Sequence, residues 1–159
     1  MNIFIILSLV SLSTQNFINQ GVYIIMTNNN YLLYNHNKIL ISKYDKYPNT
    51  YFRINKSNKF KNNYYYYIEE IFTRRKLSFG KNKELIMSKK NDNNNLWKFI
   101  KLKNKNYIII KENKCFIKIN KFNVVCKNMK INEATQFNLM KLFEEVNHNE
   151  KEKILFLFL

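Results

Sequence analysis

The sequence predicts an all-β domain built from three units of similar order and spacing. Its 159 residues suit one domain with a real core, and 46% of them are hydrophobic. Short runs rich in Ile, Val, Phe and Tyr alternate with loops rich in Asn and Lys, a pattern typical of β-strands joined by turns. These runs recur in groups of four at a period of roughly 40 residues, which indicates an internal repeat.

Each unit offers four strand-like runs, and the repeats are expected at about 22–60, 61–104 and 105–143. Because closure removes exposed strand edges, three units of this size should close on one another. Two strands of each unit would form a barrel and the remaining hairpins would cap it, so we predict a β-trefoil with pseudo-threefold symmetry over residues 21–143. The predicted runs are 22–26, 31–35, 38–43 and 51–56, then 65–73, 76–80, 84–89 and 96–102, then 107–111, 115–119, 122–127 and 135–142.

The fourth run of each unit carries one large aromatic residue. These are Phe52, Trp97 and Phe137. We expect all three to point inward and to act as structural anchors of the core. With only 2 Gly and 1 Pro in the chain, Asn clusters should form the turns, since Asn tolerates the left-handed conformation better than most residues.

The formal net charge of +16 allows two interpretations. It could mark contact with a polyanion such as a sulfated glycan, nucleic acid or an anionic membrane. Alternatively, an AT-rich genome would enrich Asn, Lys, Ile, Tyr and Phe without selection for binding. The basic residues are spread along the chain, which favours the second interpretation and predicts no specific nucleic-acid interface.

The two ends of the chain differ from the body. An apolar run at 3–12 is too short to cross a bilayer as a helix and is followed by small polar residues. We therefore expect a signal peptide within residues 1–20 and a secreted or cell-surface protein, with a buried first strand as the alternative. Residues 144–159 form a C-terminal extension whose apolar end, 154–159, should either pack on the barrel or dock on a partner.

The cysteines and histidines bear on compartment and chemistry. In an oxidising compartment Cys115 and Cys126 can pair across a hairpin, whereas in the cytosol they would be reduced core residues. His36 and His148 are isolated, so no metal site is predicted. No paired catalytic groups and no glycine-rich nucleotide loop are recognisable, so we predict a protein without a cofactor that is not an enzyme.

A family resemblance follows from the third unit, which combines Cys115, Cys126 followed by Lys127, and the sequence Gln136-Phe137. The sequence resembles the ricin B-type lectin β-trefoil family over about residues 22–143. Repeats of that family carry a Cys at the second strand, a Cys-Lys at the end of the third and a Gln-x-Trp motif on the fourth. The other two units keep the pattern with substitutions, as Ser42-Lys43 before Thr50-Tyr51-Phe52 and Ser88-Lys89 before Asn95-Leu96-Trp97.

The resemblance implies a binding module for a glycan or glycoprotein, but the family's sugar-gripping residues are replaced. The position of its Asp falls on Leu33, Phe79 and Ile117, and that of its stacking aromatic falls on Leu40, Ile86 and Val124. We therefore expect the usual galactose site to be absent. The loop residues Asn49, Asn94 and Asn95 are candidate sugar contacts, and a shifted site could use the tyrosines at 64–67. The alternative function is a protein-interaction or structural surface protein whose basic charge contacts polyanions.

Overall fold

The computed structural model describes residues 18–28, 30–36, 38–44, 49–58, 64–80, 84–111, 115–120 and 123–144. The regular elements of these residues are strands and two one-turn 3-10 helices, Asn93–Asn95 and Ile131–Glu133, so the predicted all-β class is confirmed. Residues 1–17 of the signal peptide expected over 1–20, and residues 145–159 of the extension expected over 144–159, lie outside the described residues. The strands are β1 Gly21–Thr27, β2 Asn30–Asn35, β3 Lys38–Ser42, β4 Tyr51–Lys56, β5 Tyr66–Glu70, β6 Lys76–Phe79, β7 Leu85–Ser88, β8 Lys98–Lys101, β9 Tyr107–Lys111, β10 Cys115–Asn120, β11 Asn123–Lys127 and β12 Asn138–Glu144.

Six of the strands pair in a closed ring. β12, β1, β4 and β5 are neighbours in that order, and β8 pairs with β9, all antiparallel. The single bridge Tyr66↔Trp97 joins β5 to the residue ahead of β8, and the bridge Tyr107↔Phe137 joins β9 to the residue ahead of β12. These contacts return the ring to its start, which leaves no free barrel edge among these strands.

The other six strands form three hairpins, β2–β3, β6–β7 and β10–β11. Strand β3 joins its hairpin to the other two through Lys38↔Ile86 and Leu40↔Asn123. A ring of six strands with three mutually contacting hairpins is consistent with the predicted β-trefoil.

One tyrosine–aromatic pairing occurs three times around the ring, as Tyr23↔Phe52, Tyr66↔Trp97 and Tyr107↔Phe137. The second member of each pair is a predicted anchor, and all three anchors are completely buried. Two residues after each tyrosine comes an isoleucine that is also completely buried. These isoleucines are Ile25, Ile68 and Ile109. The three pairs therefore define corresponding positions in the three parts of the barrel.

Several strand ends differ from the predicted ones for local reasons. β5 ends at Glu70, three residues earlier than predicted, because its carboxylate accepts hydrogen bonds from the backbone N–H groups of Phe72 (3.0 Å) and Thr73 (2.7 Å) and so stabilises a turn. β8 and β12 begin after residues 97 and 137, which form only single bridges to Tyr66 and Tyr107.

The predicted disulfide is present between Cys115 and Cys126. Their Cα atoms are 5.3 Å apart across the β10–β11 hairpin, and both side chains are buried in the main core. The bridge therefore links the two strands of this hairpin at the end far from its turn.

Candidate functional site

A groove of about 470 Å³ opens where the turn after β1 approaches the segment ahead of β12. Its lining contains four side-chain amides, two hydroxyls and two apolar side chains, with no charged group and no aromatic ring. The groove can therefore offer both hydrogen-bond donors and acceptors at neutral charge. Its lining residues are Met26, Thr27, Asn28, Asn106, Ala134, Thr135, Gln136 and Asn138.

A tight turn forms one wall of the groove. Thr27 pairs with Asn30, so β1 passes directly into β2. Asn28 has a φ of 43°. This is a left-handed conformation, which Asn adopts more readily than most residues other than Gly. Because the turn is this short, no additional loop extends over the groove from this wall.

The opposite wall is held by side-chain hydrogen bonds. Gln136 Oε1 accepts from Asn104 Nδ2 (2.8 Å) and from Asn106 Nδ2 (3.4 Å). Thr135 Oγ1 accepts from the backbone N–H of Ile119 (2.9 Å), which ties this wall to β10. These bonds position Thr135 and Gln136 at the groove although Gln136 is exposed.

The corresponding location one step around the ring is filled. Tyr51 corresponds to Gln136, and Ile71 corresponds to Asn28. The backbone N–H of Ile71 donates to the carbonyl oxygen of Tyr51 (3.4 Å). The Tyr51 side chain is buried in a cluster with Val22 and Ile24, and Ile71 packs against it. This apolar cluster leaves no counterpart of the groove there.

The third corresponding location is filled by a different mechanism. Lys111 corresponds to Thr27, and Leu96 corresponds to Gln136. The Lys111 ammonium donates to the carbonyl oxygens of Leu96 (3.0 Å) and Asn93 and lies 5.6 Å from the centre of the Trp97 ring. Lys111 is only 5% exposed. Among these three locations, the amide-lined groove is therefore the open one.

The positions of the lectin family's sugar-binding residues do not converge on this groove. In the third unit, Ile117 and Val124 are buried in the main core. Leu33 is also buried, and Leu40, Phe79 and Ile86 are half-buried. Aliphatic and phenylalanine side chains at these positions provide packing surface and no hydrogen bonds.

The three candidate asparagines take part in hydrogen bonds within the chain. Asn95 is completely buried, and its Oδ1 accepts from the backbone N–H of Asp92 (3.0 Å) in a capping box. The backbone of Asn94 donates to Asp92 Oδ1 (2.8 Å), and the carbonyl oxygen of Asn49 accepts from Tyr34 (2.8 Å). Asn49 and Asn94 are exposed, but neither lines the groove.

The tyrosine run at 64–67 also differs from the expected exposed surface. Tyr65 and Tyr66 are buried, and Tyr64 and Tyr67 are half-buried. A lysine ammonium lies 4.2 Å from the centre of the Tyr64 ring and another lies 4.8 Å from that of Tyr67. These ring faces are therefore already in contact with cations of the chain.

Most of the groove could not be predicted from the sequence. Gln136 belongs to the family-like motif, but Met26, Thr27 and Asn28 come from the opposite end of the domain. Their only sequence signal is the cluster of asparagines that marks the turn. In a chain so rich in Asn, that signal does not separate a binding turn from an ordinary one.

The described residues contain neither a candidate metal site nor a membrane-spanning helix. No group of three or more His, Cys, Asp or Glu side chains in this part of the chain is placed to hold a metal ion. No helix in it has the length and apolar character needed to span a membrane.

Comparisons with known proteins find solved structures of similar fold. No protein-family model matches the sequence, and no curated protein matches it. Solved structures do match: the lectin of Polyporus squamosus, solved with a sialylated epitope, has a TM-score of 0.64 at 18% identity over 80% of this chain. SeviL, solved with the asialo-GM1 saccharide, has a TM-score of 0.65 at 18% identity over 79% of this chain and 100% of its own.

A third similar structure is the designed threefold-symmetric protein ThreeFoil, with a TM-score of 0.63 at 13% identity over 77% of this chain and 99% of its own. This chain spans about half of the Polyporus squamosus lectin, 51% of its length. These likenesses agree with the strand pairing and support the β-trefoil fold.

Proposed function

We propose that this chain is a ricin B lectin-like module of three four-stranded repeats that binds carbohydrate without catalysing a reaction, and that the amide-lined groove is its binding site. The lectin folds of the similar structures support the class of function. The observation that carries the choice of site is that this location is open while the two corresponding locations are filled.

The groove chemistry suits a neutral saccharide. Sugar hydroxyls both donate and accept, as do the amide and hydroxyl side chains of the lining. No ring is present for stacking on a pyranose face, so recognition would depend on hydrogen bonds, with Met26 and Ala134 beside the C–H groups. Such a site binds a single sugar weakly and gains strength from several linked sugars.

Export is part of the proposal. The Cys115–Cys126 disulfide supports it, because structural disulfides persist mainly in oxidising compartments. Mass spectrometry of the chain recovered from the medium of an expressing cell checks this directly. We expect loss of an N-terminal segment. We also expect a mass about 2 Da below that of the dithiol form, because formation of a disulfide removes two hydrogen atoms. Retention of Met1, or two free thiols, would contradict export.

Titration with neutral oligosaccharides at low and raised salt tests carbohydrate binding. We expect selective binding that survives raised salt, because no charged side chain lines the groove. The variant Asn138→Trp would fill the groove from an exposed position and should weaken binding on the order of tenfold or more. The matched control is Asn123→Trp, an exposed β11 residue outside the groove, which should bind like the wild type.

The alternative function has a different signature. A surface protein that contacts polyanions through its net charge of +16 would bind sulfated glycans and nucleic acid and lose both at raised salt. Filling the groove would leave that binding intact. Observation of this pattern, without binding to neutral sugars, would overturn the proposed lectin function in favour of the alternative.

A further inference from the structure

The orientation of the Gln136 amide follows from one unambiguous donor. The backbone N–H of Asn106 can only donate, and it donates to Asn104 Oδ1 (3.1 Å). The other end of the Asn104 amide is therefore its NH₂ group, which faces Gln136 at 2.8 Å. Since an NH₂ group needs an acceptor, Gln136 must present Oε1 to it.

This chain of bonds leaves two atoms available at the groove. The Asn106 NH₂ group also donates to Gln136 Oε1, so both the Gln136 Nε2 donor and the Asn106 Oδ1 acceptor point away from that bond. Neither atom has a hydrogen-bond partner among the described residues. Both residues line the groove, so Gln136 Nε2 is a donor and Asn106 Oδ1 an acceptor that a ligand there could use.

We propose that the groove recognises an acetamido group and that its ligand is a neutral N-acetylated saccharide. Gln136 Nε2 would donate to the acetamido carbonyl oxygen, and Asn106 Oδ1 would accept from the acetamido N–H. Ala134 and Met26 supply apolar surface for the methyl group. This inference rests on the proposed carbohydrate function and names the class of sugar.

Other ligand groups fit this pair less well. A carboxylate offers no N–H and would meet the lone pairs of Asn106 Oδ1. A protonated amine offers no acceptor to Gln136 Nε2. A hydroxyl can accept from Gln136 Nε2 and donate to Asn106 Oδ1, but it does both from one oxygen atom, whereas an acetamido group offers its acceptor and its donor on two different atoms. A peptide amide has the same donor and acceptor as an acetamido group, so it must be tested separately.

Asn104 is then a positioning residue outside the groove lining. In the variant Asn104→Asp, the carboxylate can still accept from the backbone of Asn106, but it no longer offers an NH₂ group. Gln136 should turn its Nε2 toward the new carboxylate and present Oε1 to the groove. Gln136 would then offer the groove an acceptor where the wild type offers a donor, although the groove keeps its shape.

The experiment compares N-acetylglucosamine and N-acetylgalactosamine with glucose and galactose, by NMR titration of the full chain. We expect the acetylated sugars to bind at least about tenfold more tightly, the ratio that one well-placed hydrogen bond provides. Asn104→Asp should abolish this preference. Asn128→Asp makes the same charge change at an exposed residue outside the groove and should keep it.

Side-chain NMR of Asn104 and Gln136 gives a readout that needs no ligand. In the wild type the Asn104 NH₂ protons should exchange slowly and those of Gln136 quickly, and Asn104→Asp should slow the Gln136 protons. A fast Asn104 NH₂ group would overturn the inference even if sugars bind.

The binding outcomes separate this inference from the proposed function. Equal binding of acetylated and plain sugars would overturn the acetamido assignment and leave the carbohydrate function standing. Equal binding of N-acetylglycinamide and N-acetylglucosamine would assign the groove to peptides. Absence of binding to every saccharide would remove both the proposed function and the inference.

Discussion

The open groove and its filled counterpart beside Tyr51 occupy corresponding places on the same barrel. In both places, a strand of the ring ends beside the residue that precedes an aromatic anchor. At the groove, the chain turns back immediately after Thr27, and Gln136 faces solvent. At the counterpart, the chain continues through Ile71, whose backbone bonds to Tyr51. The barrel therefore determines where a groove could form. The length and polarity of the adjoining turn decide whether that location is open or filled.

The third location shows that filling does not require apolar residues. Lys111 fills it with a buried ammonium that satisfies two carbonyl oxygens of the preceding loop. Burial of a cation is unfavourable unless it is well hydrogen-bonded, so the arrangement is stable only as a set. Two of the three corresponding locations thus hold buried contacts, whereas the third, the groove, is open.

The largest expected effect tests that contrast directly. Tyr51→Ala should lower the free energy of unfolding by about 3–5 kcal/mol, because it removes a buried aromatic side chain from its cluster. Gln136→Ala, at the corresponding position, should change it by less than about 0.5 kcal/mol, because Gln136 is exposed. Urea denaturation measures both. Similar losses in the two variants would mean that the groove also serves stability.

A second contrast lies among the three hairpins of the cap. β11 carries Cys126 near its end, whereas β3 and β7 end at Ser42 and Ser88. Replacing Cys115 and Cys126 together by Ala should cost about 3 kcal/mol, because the unfolded chain regains the freedom of a short closed loop. Thermal unfolding with and without reductant checks this: reductant should destabilise the wild type and leave the double variant unaffected. A wild type indifferent to reductant would contradict the prediction.

A third and smaller effect concerns the hydrogen bonds of the buried Lys111. Lys111→Met keeps the apolar stem but leaves the carbonyl oxygens of Asn93 and Leu96 without this donor, so we expect a loss of about 2 kcal/mol. Lys127→Met removes the same charge from an exposed β11 residue and should stay within about 0.5 kcal/mol of the wild type. Comparing the free energies of unfolding of the two variants in denaturant separates the effect of the lost hydrogen bonds from the effect of the lost charge. If the two variants were equally stable, the buried lysine would be a tolerated residue and not a stabilising one.

The sequence predicted the barrel better than the site, for physical reasons. Alternating apolar runs must bury one face, so the strands and the buried anchors Phe52, Trp97 and Phe137 could be derived. The disulfide followed from two cysteines on one hairpin. The groove could not be derived, because its walls come from both ends of the domain and consist of residue types that form ordinary turns throughout this chain. Asn95 illustrates the limit: nothing in the sequence distinguishes its buried capping amide from an exposed one.

The smallest expected effect concerns the tyrosines of two of the three ring pairs, Tyr66 and Tyr107. Burial raises the pKa of the Tyr66 hydroxyl above its usual value of 10.0, against the opposing effect of the Ile18 backbone N–H that donates to it at 3.1 Å. Burial likewise raises the pKa of Tyr107. The folded state therefore holds both phenols neutral where the unfolded chain would ionise them, so their contribution to stability is complete below pH 10 and is lost as the pH rises above it.

Tyr66→Phe removes one of these titrations, although it also removes the acceptor for the Ile18 N–H. We expect a variant that is less stable than the wild type at neutral pH but whose stability falls less steeply above pH 10. The difference between variant and wild type is the quantity to measure, because every other group of the chain is common to both. Tyr44→Phe, at a side chain 73% exposed, is the control and should run parallel to the wild type. Parallel curves for Tyr66→Phe as well would show that the Tyr66 phenol ionises as readily in the folded barrel as in the unfolded chain, and that this ring pair contributes no pH-dependent stability.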